Sequence, residues 1–264
     1  MNTTDTSTAD ENMSHELPAV IAVHTMQGKA GKSMLSANLA VSFSLLGHKT
    51  LLIDADPAGT ASEVLGVNRS IENVTHIGTL LKREIDGEEV NIQEAIKSIY
   101  ADNMLDLLPS DVDLAFHHYW LDKVPLVNNA FELFMKRHTE FFSTYEVIVI
   151  DTTSSSSKLT RSLLSAAKSE IVSPLKLNGQ YKKSLDELSN LLADINEQRD
   201  EAESIITPLI VVNEFTPSSK SQLKLREVTK GFEEFFYQYP ISASSDLAIY
   251  NNQKDQHTES TKVY

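Results

Sequence analysis

The segment from Pro18 to Leu46 constrains the fold more than any other part of the chain. A short apolar run, Pro18-Ala-Val-Ile-Ala-Val23, leads into the loop Gln27-Gly-Lys-Ala-Gly-Lys-Ser33, after which Leu35, Leu39, Phe43 and Leu46 recur at intervals of 4, 4 and 3. Those intervals trace one face of a helix, and a short unbroken apolar run bounded by a glycine-containing loop reads as a buried strand. A buried strand that passes through a short loop into an amphipathic helix belongs to a layered α/β structure, in which helices cover both faces of a parallel sheet. Gly47 is placed to end the helix.

The same alternation continues along the chain. Thr50 to Ile53 reads as a second buried strand that ends in acids, Leu105 to Leu108 as a strand stopped by Pro109, and Tyr145 to Ile150 as a strand ending at Asp151. Ile171 to Leu175 and Ile205 to Val212 complete the set of strands. Between them, helical patterns are expected at Val90 to Tyr100, Phe131 to Thr144, Leu159 to Lys168, Ser184 to Arg199 and Ser219 to Tyr237. The expected architecture is α/β: a mostly parallel central sheet with helices on both faces, in one domain over residues 18–250. Residues 1–17 are polar and aperiodic and read as a disordered arm, and residues 251–264 as a polar tail.

Composition narrows the functional classes. The chain has 264 residues and no cysteine, which excludes disulfides, thiolate zinc sites, iron–sulfur ligation and a cysteine nucleophile. Apolar runs such as Val147 to Ile150 are far shorter than the roughly 20 residues that span a bilayer. The first residues carry acids and no Lys or Arg, the reverse of a signal peptide, so a soluble cytoplasmic protein is expected. With 23 basic and 37 acidic residues the formal charge is −14, which argues against a surface coated by nucleic acid or anionic lipid but leaves room for a local basic patch.

The chemistry concentrates around the first loop. Successive backbone N–H groups there, at the positive end of a helix, can cradle a phosphate. Gly28 and Gly31 permit close approach, Lys32 can reach outer phosphates, and the Ser33 hydroxyl can ligate Mg2+. Met26 stands where the usual phosphate loop has glycine. Asp54 and Asp56 close one strand and Asp151 another, and in open α/β sheets ligands sit beyond such strand ends. Because Mg2+ takes oxygen ligands and retains waters, Asp151 suits a water-mediated contact. Thr152 and Thr153, not a carboxylate, follow Asp151, so water activation falls to Asp56.

Taken together, Ile21-Ala-Val, Gly28-Lys-Ala-Gly-Lys-Ser33, Asn38-Leu-Ala40, Leu51-Leu-Ile-Asp-Ala-Asp-Pro57 and Val147-Ile-Val-Ile-Asp151 resemble the ParA/MinD family of deviant Walker ATPases. The likeness is to the ParA partition type above all, because Asp-x-Asp-Pro is its form of the second motif. Leu105-Asp-Leu-Leu-Pro-Ser110 and Leu209-Ile-Val-Val-Asn213 fall where that family has strands, and the resemblance spans Pro18 to Tyr250.

The resemblance implies a P-loop NTPase fold, ATP and Mg2+ as cofactors, and weak ATPase activity in an ATP-bound homodimer. It further implies nonspecific duplex DNA binding by that dimer, with association to the nucleoid. A ParB-like centromere-binding partner would stimulate hydrolysis and so move plasmid or chromosome cargo.

By position, Gln27, Gly28, Lys29, Ala30, Gly31, Lys32 and Ser33 would line the nucleotide, and Asn213 would contact adenine. Ser33, Asp54 and Asp151 would surround the metal. Lys32 would serve as the phosphate lysine and Asp56 as the switch I acid needed for hydrolysis. The chain departs from the family at Gln27, where the signature lysine that reaches the partner subunit's phosphates should stand, and at Lys29, which replaces the second glycine. Either Lys29 takes over the catalytic role across the dimer, or that role is lost. Ala58 stands where partition ATPases commonly have Gln, and the run Thr152-Thr-Ser-Ser-Ser-Ser157 replaces a Pro-containing switch II.

Lys220, Lys224, Arg226 and Lys230 lie on one expected helix, with Lys220 and Lys224 on a shared face, and Lys182 and Lys183 begin another. Phosphate neutralisation by such residues gives salt-dependent, sequence-independent DNA binding. His117 and His118 read as surface or packing residues, and Trp120, Phe131 and Phe134 as core. Two alternatives remain open. One is a nucleotide-binding regulator with little or no hydrolysis, favoured by Gln27. The other is a MinD-like positioning protein at a membrane surface, for which the required basic amphipathic helix is missing from Asp246 to Tyr264.

Overall fold

Two strands at the centre of the molecule, β2 (Thr50–Asp54) and β5 (Val147–Asp151), are buried along their whole length. In the computed structural model, which describes residues 16–67, 74–100, 103–124, 129–168, 170–199 and 204–243, they pair in parallel and in register, so that Asp54 lies opposite Asp151. Around them run β1 (Ala19–Val23), β3 (Lys97–Ser98), β4 (Leu105–Leu108), β6 (Glu170–Leu175) and β7 (Thr207–Val212). The seven-stranded order is β3-β4-β2-β5-β1-β6-β7. Every pairing is parallel except that of β3 with β4. The expected architecture is therefore present; the expected arm (apart from Glu16 and Leu17) and tail lie outside the described residues.

Helices cover both faces of this sheet, and the alternation of side chains along the strands divides the core between them. Leu51, Ile53, Ile148 and Ile150 join the core beneath α3 (Ile77–Asp86), α4 (Leu114–Leu121), α5 (Ala130–Arg137), α7 (Lys158–Ser165) and α8 (Tyr181–Asn196). Leu52, Val149 and Val23 face the other way and pack with Ala37 and Ala40 of α1 (Lys32–Leu45). Small residues, Ser36, Ala37 and Ala40, bring α1 close to the sheet. The expected stripe of Leu35, Leu39 and Phe43 is only partly buried, and Leu46 is exposed. The remaining edge, β7, is screened by residues 236–243, where the Tyr237 and Ile241 amides donate to the Ile210 and Val212 carbonyls, both at 2.8 Å.

Several expectations need correction. Val90 to Tyr100 is not a helix: Gln93–Ala95 form a single 3-10 turn and Lys97–Ser98 add a strand to β4. The apolar side chains there, Ile92 and Ala95, serve the core through a turn. Phe131 to Thr144 breaks at His138 into α5 and α6 (Thr139–Phe142), where the Thr139 hydroxyl donates to the Lys136 carbonyl at 2.7 Å and competes with the helix backbone. The last helix, α9 (Ser219–Thr229), stops well before Tyr237, at a left-handed Gly231. Helices α2 (Thr60–Val64), α3 and α4 carry no counterpart in the sequence reading. Phe131 and Phe134 are core residues as expected, and Trp120 packs partly buried against the same core.

The start of α3 is built on a histidine. The His76 Nδ1 accepts from the Thr79 amide at 3.3 Å, and its ring meets His117 of α4 edge-on at 4.8 Å. The two helices approach so closely that a Cβ on Gly78 would lie 2.7 Å from His117 and Leu114. Burial, followed by the neighbouring His117, pushes His76 down from 6.5 to about 4. The ring is thus neutral when folded, and its contribution is complete above pH 6.5 and lost as pH falls toward 4. We expect stability to decline over that window, by thermal melting between pH 7.5 and 4.5. His76→Asn, which keeps a capping acceptor, should flatten the decline, and His76→Ala should cost more than about 1 kcal/mol at pH 7.5. Parallel curves for wild type and His76→Asn would refute this role.

Candidate nucleotide site

The loop between β1 and α1 is anchored before it begins. His24 is fully buried, with Nδ1 2.8 Å from the Thr152 hydroxyl, which itself donates to the Val23 carbonyl at 2.9 Å. The end of β1 is thereby fixed to the residue after β5. Burial, with the charge of Lys32 second, pushes His24 down to about 3, so the ring adds no charge to the site. The loop then turns through Lys29 at φ 59° and Gly31 at φ 91° and enters α1, whose N-terminus has no side-chain cap. Its first N–H groups therefore remain available to an anion.

Gly31 is required sterically as well as by its backbone angle. A Cβ there would come within 2.2 Å of the Asn213 Nδ2, which reaches from the end of β7 and donates to the Ala30 carbonyl at 2.8 Å. Asn213, expected beside adenine, thus grips the phosphate loop itself.

The register of β2 with β5 decides the electrostatics. It sets Asp54 and Asp151 side by side, both fully buried. The Lys32 Nζ enters from α1, 3.2 Å from the Asp56 Oδ2 and 3.7 Å from the Asp151 Oδ1. Ser36 donates to the Asp151 Oδ1 at 3.0 Å, and the nearby Ser33 hydroxyl favours the charged form of this carboxylate. The other oxygen, Asp151 Oδ2, is buried with no hydrogen-bond partner.

Asp54 accepts the Asp56 amide at 3.1 Å on one oxygen, and the Ser62 amide and hydroxyl at 2.8 and 2.7 Å on the other. Ser110 adds the bonds that close this network, its amide to the Ser62 hydroxyl at 3.0 Å and its own hydroxyl to the Asp56 carbonyl at 2.7 Å. Asp54 is therefore the post that holds the Asp56 loop and α2 in place.

Three carboxylates share one ammonium here. Burial, reinforced by Asp151, pushes Asp54 up to about 7, and burial raises Asp151 against the opposing pull of Lys32. Burial alone would depress Lys32, but Asp151 and Asp56 outweigh it and hold it above its ordinary value. The cluster is short of positive charge, and an oxygen-seeking divalent cation near the orphaned Asp151 Oδ2 and Ser33 fits what is missing. Among the described residues no three His, Asp or Glu side chains form a metal cage.

Gln27 and Lys29 part company. Lys29 is exposed at the tip of the loop. Gln27 is 2% exposed and its amide is fully used: Oε1 accepts from the Lys176 amide at 2.7 Å, and Nε2 donates to the Lys176 carbonyl at 3.1 Å and to the Asn178 Oδ1 at 2.9 Å. The four basic residues expected on one helix also differ, and Lys230 lies just past the end of α9. Lys224 donates to the Leu177 and Asn178 carbonyls at 3.0 and 3.2 Å and lies over the Tyr181 ring, whereas Lys220, Arg226 and Lys230 are exposed. Sequence reasoning missed His24, Ser36, Ser62 and Ser110. Only Ser36, a polar residue one turn beyond Lys32, left a signal there.

A family model described as an AAA domain matches residues 18–207. The chain belongs to the ParA/MinD family of P-loop ATPases. It is 26% identical over 231 residues to the sporulation initiation inhibitor protein Soj of Bacillus subtilis, covering 87% of this chain and 86% of Soj. Over 96 residues it is 33% identical to the chromosome partitioning protein ParA of Caulobacter vibrioides, an alignment that takes in 36% of this chain and 33% of that one. These relatives place it on the partition side of the family.

In fold it is similar to a plasmid partition protein of Borrelia burgdorferi bound to AMPPNP, with a TM-score of 0.70, 22% identity and coverage of 92% of this chain and 93% of that chain. It is also similar to cobyrinic acid a,c-diamide synthase of Mycobacterium smegmatis with a bound ATP analogue and magnesium, with a TM-score of 0.70, 20% identity and coverage of 87% and 86%.

Gln27 is a buried clamp, so placing a lysine there has a structural consequence. A lysine at this point cannot accept the Lys176 amide and brings an ammonium into a buried setting. Gln27→Lys is expected to lower stability by about 1–3 kcal/mol in denaturant unfolding. Unchanged stability would mean that the clamp contributes nothing.

Proposed function

We propose that this chain is a partition ATPase that binds ATP with Mg2+, dimerises with nucleotide bound, and in that form holds duplex DNA without sequence preference. A ParB-like centromere-binding protein is its regulator. The observation that carries the reading is the buried Lys32, held between Asp56 and Asp151 at the ends of strands, beside an α-helical N-terminus without a side-chain cap. Similarity to Soj and ParA supports the cellular role. Among the described residues no helix is long and apolar enough to cross a membrane.

In this reading Lys32, the N–H groups from Gly28 to Ser33 and the start of α1 hold the phosphates. Ser33 and Asp151 hold Mg2+, with Asp54 setting the loop beside it. When bound, the cation neutralises phosphate charge that this acidic cluster could not otherwise tolerate. Asp56, 21% exposed and paired with Lys32, is the group positioned to orient a water. Lys29, the exposed cation of the loop, is the residue able to reach a partner subunit. The burial of Gln27 in its clamp favours slow hydrolysis within this reading.

Lys32→Ala should weaken ATP binding at least tenfold by calorimetry, since it removes a charge-assisted hydrogen bond to phosphate. Asp56→Ala should keep ATP affinity while turnover falls at least tenfold, because a water-orienting acid acts mainly in the transition state. Unchanged ATP affinity in folded Lys32→Ala rejects the site. Replacing Lys220, Arg226 and Lys230 together by Ala should weaken ATP-dependent DNA binding uniformly across sequences. It should also flatten the log–log salt slope by about 0.9 for each DNA phosphate that the variant no longer neutralises. An unaltered slope would clear α9 of any role in holding DNA.

A further inference from the structure

His118 of α4 has no part in the function proposed above, yet its ring is bonded to the loop that follows β5. Its Nδ1 lies 2.8 Å from the Ser157 Oγ. Ser157 ends the hydroxyl-rich run that follows Asp151, and it caps α7 by accepting the Thr160 amide at 3.2 Å. The run is not a featureless loop. The Thr153, Ser155 and Ser157 hydroxyls all gather on that of the buried Thr160, at 3.3, 3.4 and 3.0 Å, and Thr153 and Ser155 meet at 2.5 Å. Ser154 and Ser156, the alternate residues, are exposed. His118 stands at one end of this chain of hydroxyls. The Ala55 backbone and the charge of Asp56, from the loop after β2, raise its proton affinity. The Nε2 is buried with no hydrogen-bond partner among the described residues.

We propose that His118 is a positioning residue that ties the loop after β5 to α4 and fixes the direction of the hydroxyl chain between Ser157 and Thr153. The proposal rests on the ATPase reading, in which the loop after β5 flanks the reacting phosphate.

A hydroxyl donates one proton and accepts on either lone pair, so a string of hydroxyls has no set direction until a group at its end imposes one. Ser157 already accepts the Thr160 amide, which leaves its own proton to be given away. A neutral imidazole accepting at Nδ1 takes that proton and orders the string. The setting keeps the ring neutral: burial, aided by His117, lowers its proton affinity against the pull of Asp122, Asp56 and the Ala55 backbone. Among the described residues His76, at the start of α3, is a further titratable neighbour, and Asp122 is held by the Lys158 backbone amide at 2.9 Å. No sequence pattern announces this arrangement, because the partners come from three separate segments.

The test compares His118→Phe, which fills the space without nitrogen, with His118→Asn, whose amide stands near the position of Nδ1. Hydrogen exchange of residues 153–160 is measured on the nucleotide-free chain, and ATP affinity and kcat are measured alongside. We expect His118→Phe to speed exchange in this segment at least tenfold and lower kcat about tenfold, with ATP affinity within twofold of wild type. His118→Asn should recover most of both losses. Unchanged exchange in His118→Phe, or His118→Asn as impaired as His118→Phe, would overturn the proposal and leave only packing. If His118→Phe does not fold, Ser157→Ala read against Ser157→Thr breaks the same bond from its other end. A wild-type chain without turnover would defeat the ATPase reading, while the exchange measurement would still decide the role of His118.

Discussion

The placement of one ammonium against buried carboxylates organises the whole phosphate end of this molecule. β2 and β5 are central, parallel and in register, so their terminal acids meet in the dry interior, where uncompensated charge costs several kcal/mol. Lys32 is the compensation, 3.2 Å from Asp56 and 3.7 Å from Asp151. It can reach them because α1 begins at Lys32 and lies close to the sheet on small side chains. The glycine at position 31, the small residues of α1 and the strand register are thus parts of one arrangement. Its residual negative charge is what a divalent cation would offset in the function proposed above.

The phosphate loop is also tied firmly to the far edge of the sheet. Gln27 clamps Lys176 and Asn178, Asn213 holds the Ala30 carbonyl, and Lys176 pairs with Glu214 at 2.5 Å. Lys224 brings α9 into the same knot through Leu177 and Asn178. At Gln27 this chain directs an amide into its own core. The exposed Lys29, in a left-handed conformation normally left to glycine, is the loop's remaining outward charge.

Much of this was legible in the sequence, for specific reasons. The inner strands of a parallel sheet are covered on both faces and so appear as short apolar runs, which is why Thr50 to Ile53 and Val147 to Ile150 were readable. Lys32, Ser33, Asp54, Asp56 and Asp151 were legible because loop, strand and acid occur in a fixed order. The helix α4, Leu-Ala-Phe-His-His-Tyr-Trp-Leu, is apolar or aromatic all round and short, so no period emerges from it. Val90 to Tyr100 misled because its apolar residues serve a turn and an edge strand. The Gln27 clamp and the His118 bridge were hidden because their partners are brought together only by the fold.

Calorimetric titration of ATP into the full-length chain, with Mg2+ and again with EDTA, tests the central claim most directly. If the Lys32 cluster is a nucleotide–cation site short of positive charge, Mg2+ should tighten ATP binding at least tenfold. Equal affinity in the two conditions, or no ATP binding in either, would contradict the account.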